Sequence, residues 1–377
     1  MAKKKDNSIK VLTPAAMSKK YGGSGLASVV LRDVELWIPS RFLALNDQFG
    51  GGIPYGGIVE LYGEESSGKS LLAQDFAYGT QQLGGVVIFA DAEKAFTKQW
   101  SEANGLELDK VWLYQENTVE LISDWVRDSI IYWRSILVNN EPILLILDSL
   151  AVLECLENQN TAQESKKAEM GNRAKAISTF LRLRSPLFHS MGVGAILINQ
   201  LRKKIGASNY EDPDTTPGGE ATKFYASIRA GVYGGKQIVK KIRGVEERVG
   251  RHTSIRIKKN KVAPPKKTIK AAEVHFVETK GNPIGFNKYF GLPDLLISKE
   301  VISRKKGSSS YMMGDKMIAR GEEKFLELLY NDDKLRSKLI RRAGINTIST
   351  TQKQLDEIKV NLYPVTVKSS KDEESEE

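Results

Sequence analysis

Short apolar runs that end in polar residues alternate with longer segments of helical period along much of the chain. Apolar runs bounded by turn residues indicate buried strands, and apolar positions three or four residues apart indicate helices. These patterns predict strands at 58–62, 85–90, 143–147, 194–198, 255–258 and 274–277, and helices directly after residue 70 and at 118–138, 161–190, 292–300 and 322–330. The alternation predicts an α/β fold whose mainly parallel central sheet is flanked by helices and carries a site along one edge.

The segment GEESSGKS at residues 63–70 matches the phosphate-binding pattern G-x-x-x-x-G-K-[ST]. It lies between the predicted strand 58–62 and a predicted helix, where successive backbone N–H groups point at a phosphate from the helix N-terminus. In this arrangement Lys69 reaches the β- and γ-phosphates of a nucleotide and Ser70 ligates Mg²⁺. A Gly-Ser turn that carries a lysine by chance is the alternative, and the flanking strand and helix argue against it.

Polar side chains follow three later predicted strands, where a parallel sheet would bring them beside the phosphate loop. Phosphoanhydride hydrolysis needs a group that activates water and cations that balance the developing charge. We therefore assign Glu93 as general base, Asp148 to the Mg²⁺ shell and Gln200 to the γ-phosphate. Each residue alone could be a strand-end cap, but three at successive strand ends favour a site. Trp100 either stacks on the adenine or belongs to the core or an interface.

Basic residues are concentrated in one part of this 377-residue chain, whose formal net charge is +10. Residues 201–270 contain 18 Lys and Arg against 6 Asp and Glu, so this segment accounts for the whole excess. A nucleic acid is the natural partner, because basic side chains release counterions from phosphates. A solvated basic face is the alternative. Gly and Pro residues within 203–219 predict a long loop there, and loops of that length are usually functional.

Cysteine content and apolar runs limit the class of protein. The single cysteine, Cys155, excludes internal disulfides and cysteine metal clusters. No apolar run reaches the roughly 18 residues of a membrane span, and the basic N-terminus is not followed by an apolar stretch. We therefore expect a cytoplasmic protein that does not bind membranes.

Six segments resemble, in order and spacing, the bacterial RecA recombinase family: GEESSGKS, FADAEKAF, LLILDSLAVL, LINQLRKKIG, TTPGGEATKFYASIR and KKNKVAPPKK. The resemblance covers approximately residues 40–300. Many ATPases share the phosphate loop, whereas TTPGGEATKFYASIR and KNKVAPP resemble the recombinases and not the hexameric helicases of the same core fold. The resemblance implies a RecA-like P-loop ATPase core that uses ATP and Mg²⁺.

The resemblance also implies roles for individual residues. The implied nucleotide-binding residues are Gly63, Glu64, Glu65, Ser66, Ser67, Gly68, Lys69, Ser70, Trp100 and Asp148, of which Ser70, and Asp148 through water, hold the metal. The implied catalytic residues are Lys69, Glu93, Gln200, Lys259 and Lys261. The last two would reach the ATP of a neighbouring subunit, and with Lys223 and Phe224 they would form a subunit interface. From the residues alone, the basic stretch KKNK would be a solvated face.

Two DNA-binding loops follow from the same resemblance, at about residues 154–171 and 201–219. The implied residues that line single-stranded DNA are Met170, Gly171, Ser178, Arg182, Arg202, Lys203, Ile205, Gly218 and Gly219. Their chemistry agrees, because basic side chains and the N–H groups of a glycine pair suit phosphates, whereas the apolar Met170 and Ile205 suit the space between bases.

The expected organisation has four parts. They are a short N-terminal oligomerisation segment at 1–40, the ATPase core at 41–283, a small α+β C-terminal domain at 284–365 and a disordered acidic tail at 366–377. The expected function is a DNA-dependent ATPase that forms helical filaments on single-stranded DNA and pairs it with a homologous duplex. A single-strand-binding protein is a further expected partner. The alternatives are a ring helicase or motor with the same core, and a filament-forming accessory protein that hydrolyses ATP slowly.

Overall fold

A computed structural model describes residues 17, 19–20, 35–160, 166–203, 214–217, 219–242, 244–264, 268–278, 284–305 and 307–365. The chain divides into two compact units, Met1–Leu36 and Trp37–Glu377. The elements below belong to the second unit. Most of the predicted N-terminal segment, and the whole predicted tail, lie outside the described residues.

The second unit is built from alternating strands and helices. Its strands are Trp37–Ile38 (β1), Ile53–Pro54 (β2), Ile58–Gly63 (β3), Val86–Asp91 (β4), Val111–Tyr114 (β5), Ile143–Asp148 (β6), Val193–Gln200 (β7), Arg202–Lys203 (β8), Asp214–Thr215 (β9), Ile228–Ile242 (β10), Val245–Asn260 (β11), Ile269–His275 (β12), Gly285–Phe286 (β13), Ser303–Arg304 (β14), Ser310–Met313 (β15) and Lys316–Arg320 (β16). Its helices are Leu43–Phe49 (α1), Lys69–Gln82 (α2), Lys98–Ala103 (α3), Val119–Ile136 (α4), Leu156–Asn160 (α5), Lys166–Met191 (α6), Gly219–Tyr225 (α7), Leu292–Ser298 (α8), Glu322–Asn331 (α9), Asp333–Arg342 (α10) and Ile348–Glu357 (α11).

A nine-stranded sheet forms the centre of this unit, in the order β13-β12-β11-β10-β3-β7-β6-β4-β5. The strands from β10 to β5 are parallel to one another, and β11, β12 and β13 extend the sheet by antiparallel pairing. The predicted α/β fold with a mainly parallel central sheet is therefore confirmed. The carboxyl ends of β3, β4, β6 and β7 lie at one edge of the sheet, as the strand order of parallel neighbours requires.

Both faces of the sheet are covered, and alternate strand residues point to opposite faces. Val87 and Phe89 of β4 join one buried cluster with residues of α1 and α2, such as Phe76. Val86 and Ile88 join a second cluster, on the side of α4 and α6. Burial on both faces explains why the parallel strands are almost continuously apolar in sequence.

A long hairpin made by β10 and β11 was only partly predicted. The sequence pattern predicts a strand at 255–258, but β10 and β11 pair with each other from Ile228 and Asn260 to the turn between Ile242 and Val245. Beyond Gly231 on β10 and Gly250 on β11, the neighbouring strands β3 and β12 no longer pair with it. The residues near the turn are mostly exposed and charged, so they lack the apolar alternation that would reveal a strand.

Residues 284–365 have an apolar core of their own. Helices α8 to α11 and the antiparallel sheet β14-β15-β16 accompany a cluster that includes Leu292, Tyr311 and Phe325. Leu43 of α1 belongs to the same cluster, so the α+β C-terminal part shares apolar surface with the part built around the large sheet. Because β13 pairs with β12 in the large sheet, the expected boundary at residue 283 falls one strand before the end of that sheet.

The two expected DNA-binding loops contain regular structure. Within 154–171 the chain forms α5 and the first turns of α6, and residues 161–165 lie outside the described residues. Within 201–219, β8 pairs with β9, while 204–213 and Gly218 lie outside the described residues. Irregular structure was expected across residues 203–219, but strands β8 and β9 lie partly within that range. They were not predicted because the segment is rich in Gly and Pro residues.

The last described residues pack against the part of the chain that is built around the large sheet. Asn140, which adopts a left-handed conformation with φ 64°, donates from Nδ2 to the Val360 carbonyl (3.0 Å) and accepts from the Leu362 N–H (2.7 Å). The buried Tyr363 ring has the Arg134 guanidinium 5.2 Å from its centre. A Cβ at Gly192 would lie 2.4 Å from the Tyr363 Cζ, so glycine is required where this ring packs. Residues 360–363 thus clamp the end of the C-terminal domain to the core.

In the part of the chain that the structure describes, no helix is long and apolar enough to cross a membrane.

Candidate nucleotide site and nucleic-acid interface

Three of the predicted catalytic residues, Lys69, Glu93 and Gln200, lie with Asp148 at the carboxyl edge of the large sheet. Gly63 at the end of β3 is paired with Gln200 at the end of β7, and Asp91 at the end of β4 is paired with Asp148 at the end of β6. The register of the parallel strands therefore places the phosphate loop and the predicted acidic and amide residues along one continuous edge, as the sequence predicts.

The phosphate loop has the backbone conformation that a Gly-containing cradle requires. Ser66 has φ 55° and Gly68 has φ 101°, both in the left-handed region, and α2 begins directly after Gly68. Lys69 Nζ donates to the carbonyls of Gly63 (3.1 Å) and Glu64 (2.7 Å), which folds the lysine back over the loop. The Ser67 hydroxyl is buried and makes no hydrogen bond with any described residue. The loop therefore offers an unsatisfied donor, a lysine and a helix N-terminus to a phosphate.

The two predicted metal ligands, Ser70 and Asp148, are hydrogen-bonded to each other. Ser70 Oγ donates to Asp148 Oδ2 over 2.6 Å, which joins the first turn of α2 to the end of β6. Burial raises the pKa of Asp148 to about 6, although the hydrogen bond from Ser70 lowers it. A nearby cation would stabilise the ionised form of such a carboxyl. Hydroxyl and carboxylate oxygens suit Mg²⁺, which keeps several waters and nucleotide phosphates in its shell and needs few protein ligands.

Glu93 is exposed at the end of a short turn beside Asp148. Its backbone N–H donates to the Asp148 carbonyl (3.2 Å), and Ser149 Oγ donates to its carboxylate. Asp91 orders the same turn by accepting hydrogen bonds from the backbone N–H groups of Ala95 and Phe96, each at 3.0 Å. The result is a fixed, water-accessible carboxylate at the sheet edge, the geometry that a general base requires.

Trp100 lies in α3, on the segment that follows Glu93. It is half-buried and packs against the apolar cluster on the α1 and α2 side of the sheet. Part of the indole is therefore accessible to a ligand. Its stacking on an adenine stays a prediction.

Gln200 adjoins a buried polar network. Asn199 accepts from the Gln200 N–H (3.0 Å) and donates from Nδ2 to Glu60 Oε1 (3.0 Å) and to the Pro217 carbonyl (3.0 Å). Glu60 is fully buried and is paired with Arg229. This network connects Pro217, in the second expected DNA-binding loop, to β3 and to the strand end that carries Gln200.

The four predicted interface residues are brought together. Lys259 Nζ donates to the carbonyls of Lys223 and Phe224, the latter at 3.2 Å. Lys261 Nζ lies 5.8 Å from the centre of the Phe224 ring, which is 71% exposed. Burial, with the positive charges of Lys261 and Arg229, lowers the pKa of Lys259. Two cations and an exposed aromatic ring thus share one surface.

The register of the sheet places the backbone of Lys259 level with the middle of β3, before the phosphate loop of the same chain. Lys259 is paired with Arg229, and Arg229 with Glu60, three residues before Gly63. Each strand residue adds about 3.3 Å, so the backbone of Lys259 lies about 10 Å from the start of the loop, measured along the strand direction. Lys261 lies further away. The side chain of Lys259 is occupied by carbonyls on that side.

Four of the predicted DNA-binding residues lie on helix α6. Met170 is 55% exposed, Gly171 and Arg182 are exposed and Ser178 is half-buried. Gly219, with φ 71°, begins α7 beside this helix, and a Cβ added to it would lie 3.7 Å from the Ala174 Cβ. The end of the second expected DNA-binding loop therefore lies against α6, which carries four other predicted DNA-binding residues.

The remaining predicted DNA-binding residues are described less fully. The backbone of Arg202 and Lys203 pairs with Thr215 and Asp214, and the side chains are not described. Ile205 and Gly218 lie outside the described residues.

Sequence comparisons agree with this geometry. The family model described as the RecA N-terminal domain matches residues 14–281. Protein RecA of Tropheryma whipplei is 33% identical over 315 residues, which cover 82% of this chain and 67% of the relative. Protein RecA of Treponema denticola is 32% identical over 332 residues, 85% and 75% of the two chains. Protein RecA of Rubrobacter xylanophilus is 34% identical over 309 residues, 81% and 82%.

The chain belongs to the RecA family. Membership confirms the resemblance seen in the sequence and places this RecA-family chain among proteins of DNA recombination and repair that bind nucleotides and DNA. The matched region contains the phosphate loop, all the strand-end residues and the Lys259 and Lys261 surface.

Several residues that shape the site in this RecA-family chain were not predicted. Ser149 donates to Glu93, and Asp91 orders the turn that carries Glu93. Asn199 and Glu60 form the buried network. Ser149 directly follows a predicted site residue and could have been found from its position. Glu60 gives no such signal, because its partner Arg229 is 169 residues away in sequence.

Proposed function

We propose that this RecA-family protein is a DNA-dependent ATPase that polymerises on single-stranded DNA and carries out homologous pairing and strand exchange with a duplex. ATP and Mg²⁺ bind at the phosphate loop, Glu93 activates the attacking water and Gln200 contacts the γ-phosphate. The protein acts in the cytoplasm as a homo-oligomeric filament, together with a single-strand-binding protein. ATP serves chiefly as a switch that orders the interface and the DNA-binding segments, and hydrolysis releases the DNA.

The observation that carries this proposal is the position of Lys259 and Lys261. Lys259 donates to the carbonyls of Lys223 and Phe224, and Lys261 lies beside the exposed Phe224 ring, so both side chains contact α7. Phosphoryl transfer needs cations on the developing negative charge, and such a cation can be supplied in trans by another protein molecule. A head-to-tail contact between identical chains would bring this surface to the neighbour's phosphate loop, and such contacts generate filaments or rings. The ATP site is then a composite of two subunits.

An exposed sheet edge supports the same assembly. Strand β5 ends the large sheet and pairs only with β4 among the described strands. Trp112 and Leu113 are exposed on it although both are large and apolar. An unprotected apolar edge strand is a site where another chain can pair or pack. We therefore propose that this edge forms part of the contact between neighbouring subunits.

The DNA-binding part of the proposal is supported by the meeting of α6 with the start of α7. Arg182 and the basic pair Arg202 and Lys203 suit phosphates, and Met170 offers an apolar wedge. Asn199 ties the second segment to the strand end that carries Gln200. This contact gives a route by which a γ-phosphate could change the DNA-binding surface.

Electron microscopy with a slowly hydrolysed ATP analogue and single-stranded DNA tests the proposal. We expect helical filaments that need both ligands and that are absent with Lys69→Ala, which removes the phosphate contact. Closed hexameric rings alone would instead indicate the ring helicase or motor. Filaments whose ATP turnover is unaffected by DNA would indicate the accessory protein.

A further inference from the structure

The phosphate loop is supported from behind by the hairpin strand β11. Arg251 Nη1 donates to the Ser66 carbonyl, and Thr253 Oγ1 donates to the Ser67 carbonyl over 3.4 Å. Residues two apart on a strand point to the same side. One face of β11 therefore binds two consecutive carbonyls of the loop.

Arg251 is rigidly placed for this contact. It is paired with Gln237 on β10 and with Val274 on β12, so it lies inside the sheet. Its guanidinium passes directly over Gly234, where an added Cβ would lie 1.8 Å from Nη2 and 2.6 Å from Cζ. The backbone φ of Gly234 is not in the left-handed region. The arginine therefore requires glycine here because any side chain would occupy its space.

The loop residue that Arg251 binds is itself strained. Ser66 has φ 55°, a conformation that L-residues adopt at a cost and that surrounding contacts must enforce. A donor on the Ser66 carbonyl fixes the peptide that follows it. That peptide's N–H belongs to Ser67 and donates to the Glu64 carbonyl (3.3 Å), which closes a turn inside the loop. The Arg251 contact and this turn together set the shape of the loop, whose N–H groups bind phosphate.

We propose that Arg251 is a positioning residue for nucleotide phosphate: it holds the Ser66 carbonyl outward, so that the N–H groups of the loop face the β-phosphate, and adds positive charge behind them. The proposal rests on the proposed nucleotide site and adds to it a residue outside the loop. It assigns to the base of the β10–β11 hairpin a part in binding ATP and ADP alike.

Binding of fluorescent ADP and of a slowly hydrolysed ATP analogue to the full-length protein tests this assignment. Arg251→Met keeps the length of the side chain and removes its charge and donors. We expect it to raise both dissociation constants about tenfold, the usual effect of losing a charge-assisted hydrogen bond. Arg251→Lys, which keeps a charged donor, should restore binding to within about threefold of the wild type.

Gly234→Ala provides an independent route to the same loss. Its methyl group displaces the guanidinium, so it should weaken binding as Arg251→Met does, and the double variant should be no weaker than either single one. Wild-type binding by Arg251→Met, equal losses in the Met and Lys variants, or additive losses with Gly234→Ala would each overturn the proposal. Thermal unfolding without nucleotide identifies a variant that loses affinity by failing to fold.

The outcome is separable from that of the proposed function. A wild-type protein that binds nucleotide but forms no filament on DNA would contradict the recombinase proposal and leave the binding result for Arg251 intact. A wild-type filament whose nucleotide affinity is unchanged by Arg251→Met would contradict the Arg251 proposal alone.

Discussion

Ser70 Oγ donates to Asp148 Oδ2 over 2.6 Å, and this bond joins the first turn of α2 to the end of strand β6. Burial raises the pKa of Asp148 to about 6. Its carboxyl is therefore partly protonated just below neutral pH when no cation is present.

This pKa predicts a pH-dependent affinity for Mg²⁺–ATP. Metal binding needs the ionised carboxylate, and the protonated fraction grows as the pH falls through about 6. We expect the affinity for Mg²⁺–ATP to be about tenfold weaker at pH 5 than at pH 7, since one pH unit below a pKa leaves roughly a tenth of the group ionised. Titration with a fluorescent nucleotide measures this change. The same titration with EDTA in place of Mg²⁺ is the control, and an equal pH dependence there would show that Asp148 is not the cause.

Glu93→Gln should separate hydrolysis from binding. The variant keeps the size of the side chain and its contact with Ser149 but cannot accept a proton. We expect DNA-stimulated ATP turnover to fall by about 10²- to 10⁴-fold with little change in nucleotide affinity. Glu102→Gln, on the exposed helix α3, is the matched control and should retain wild-type turnover. Near-normal turnover in Glu93→Gln would reject its role as general base.

Leu113→Lys should prevent assembly without affecting the nucleotide site. Leu113 is 41% exposed on the edge strand β5, and a charge at an edge is a known way of blocking association. We expect monomeric protein in light scattering, with ATP binding retained. Met317→Lys is the control, since Met317 is 56% exposed in the small C-terminal sheet. Filaments of normal length formed by Leu113→Lys would show that another surface drives assembly.

Tyr363→Ala should destabilise the protein although the residue lies close to the C-terminal end of the described chain. The ring is buried beside Arg134 and Gly192, and removing a buried aromatic side chain typically costs about 3 kcal/mol. Urea unfolding measures the loss. Val360→Ala, in the same segment but exposed, should change the free energy of unfolding by less than about 0.5 kcal/mol. Equal effects of the two substitutions would mean that the clamp contributes nothing to stability.

Sequence patterns predicted the parallel strands β3, β4, β6 and β7, because strands buried on both faces are continuous apolar runs, but they missed the parallel strands β5 and β10. The hairpin turn near Ile242 and the helix α10 were missed, since both are mostly charged and bury few side chains. The phosphate loop and Asp148 were found because their signals are local. Arg251 was missed because its contact with Ser66 spans 185 residues and depends on the pairing of β11 with β10 and β12.

The central claim is that each ATP site is completed by the Lys259 and Lys261 surface of a neighbouring chain. Glu93→Gln and Lys261→Ala should each be inactive alone, because one lacks the general base and the other the cation supplied in trans.

Mixing these two inactive variants on single-stranded DNA and measuring ATP turnover tests the claim most directly. In a head-to-tail assembly, random mixing of equal amounts places the intact loop of a Lys261→Ala chain against the intact lysines of a Glu93→Gln chain at about one quarter of the interfaces. We predict that turnover appears on mixing, at roughly a quarter of the wild-type rate, and that neither variant shows it alone. If the mixture stays as inactive as its components while still forming filaments, the lysines act within their own chain and the composite site is contradicted.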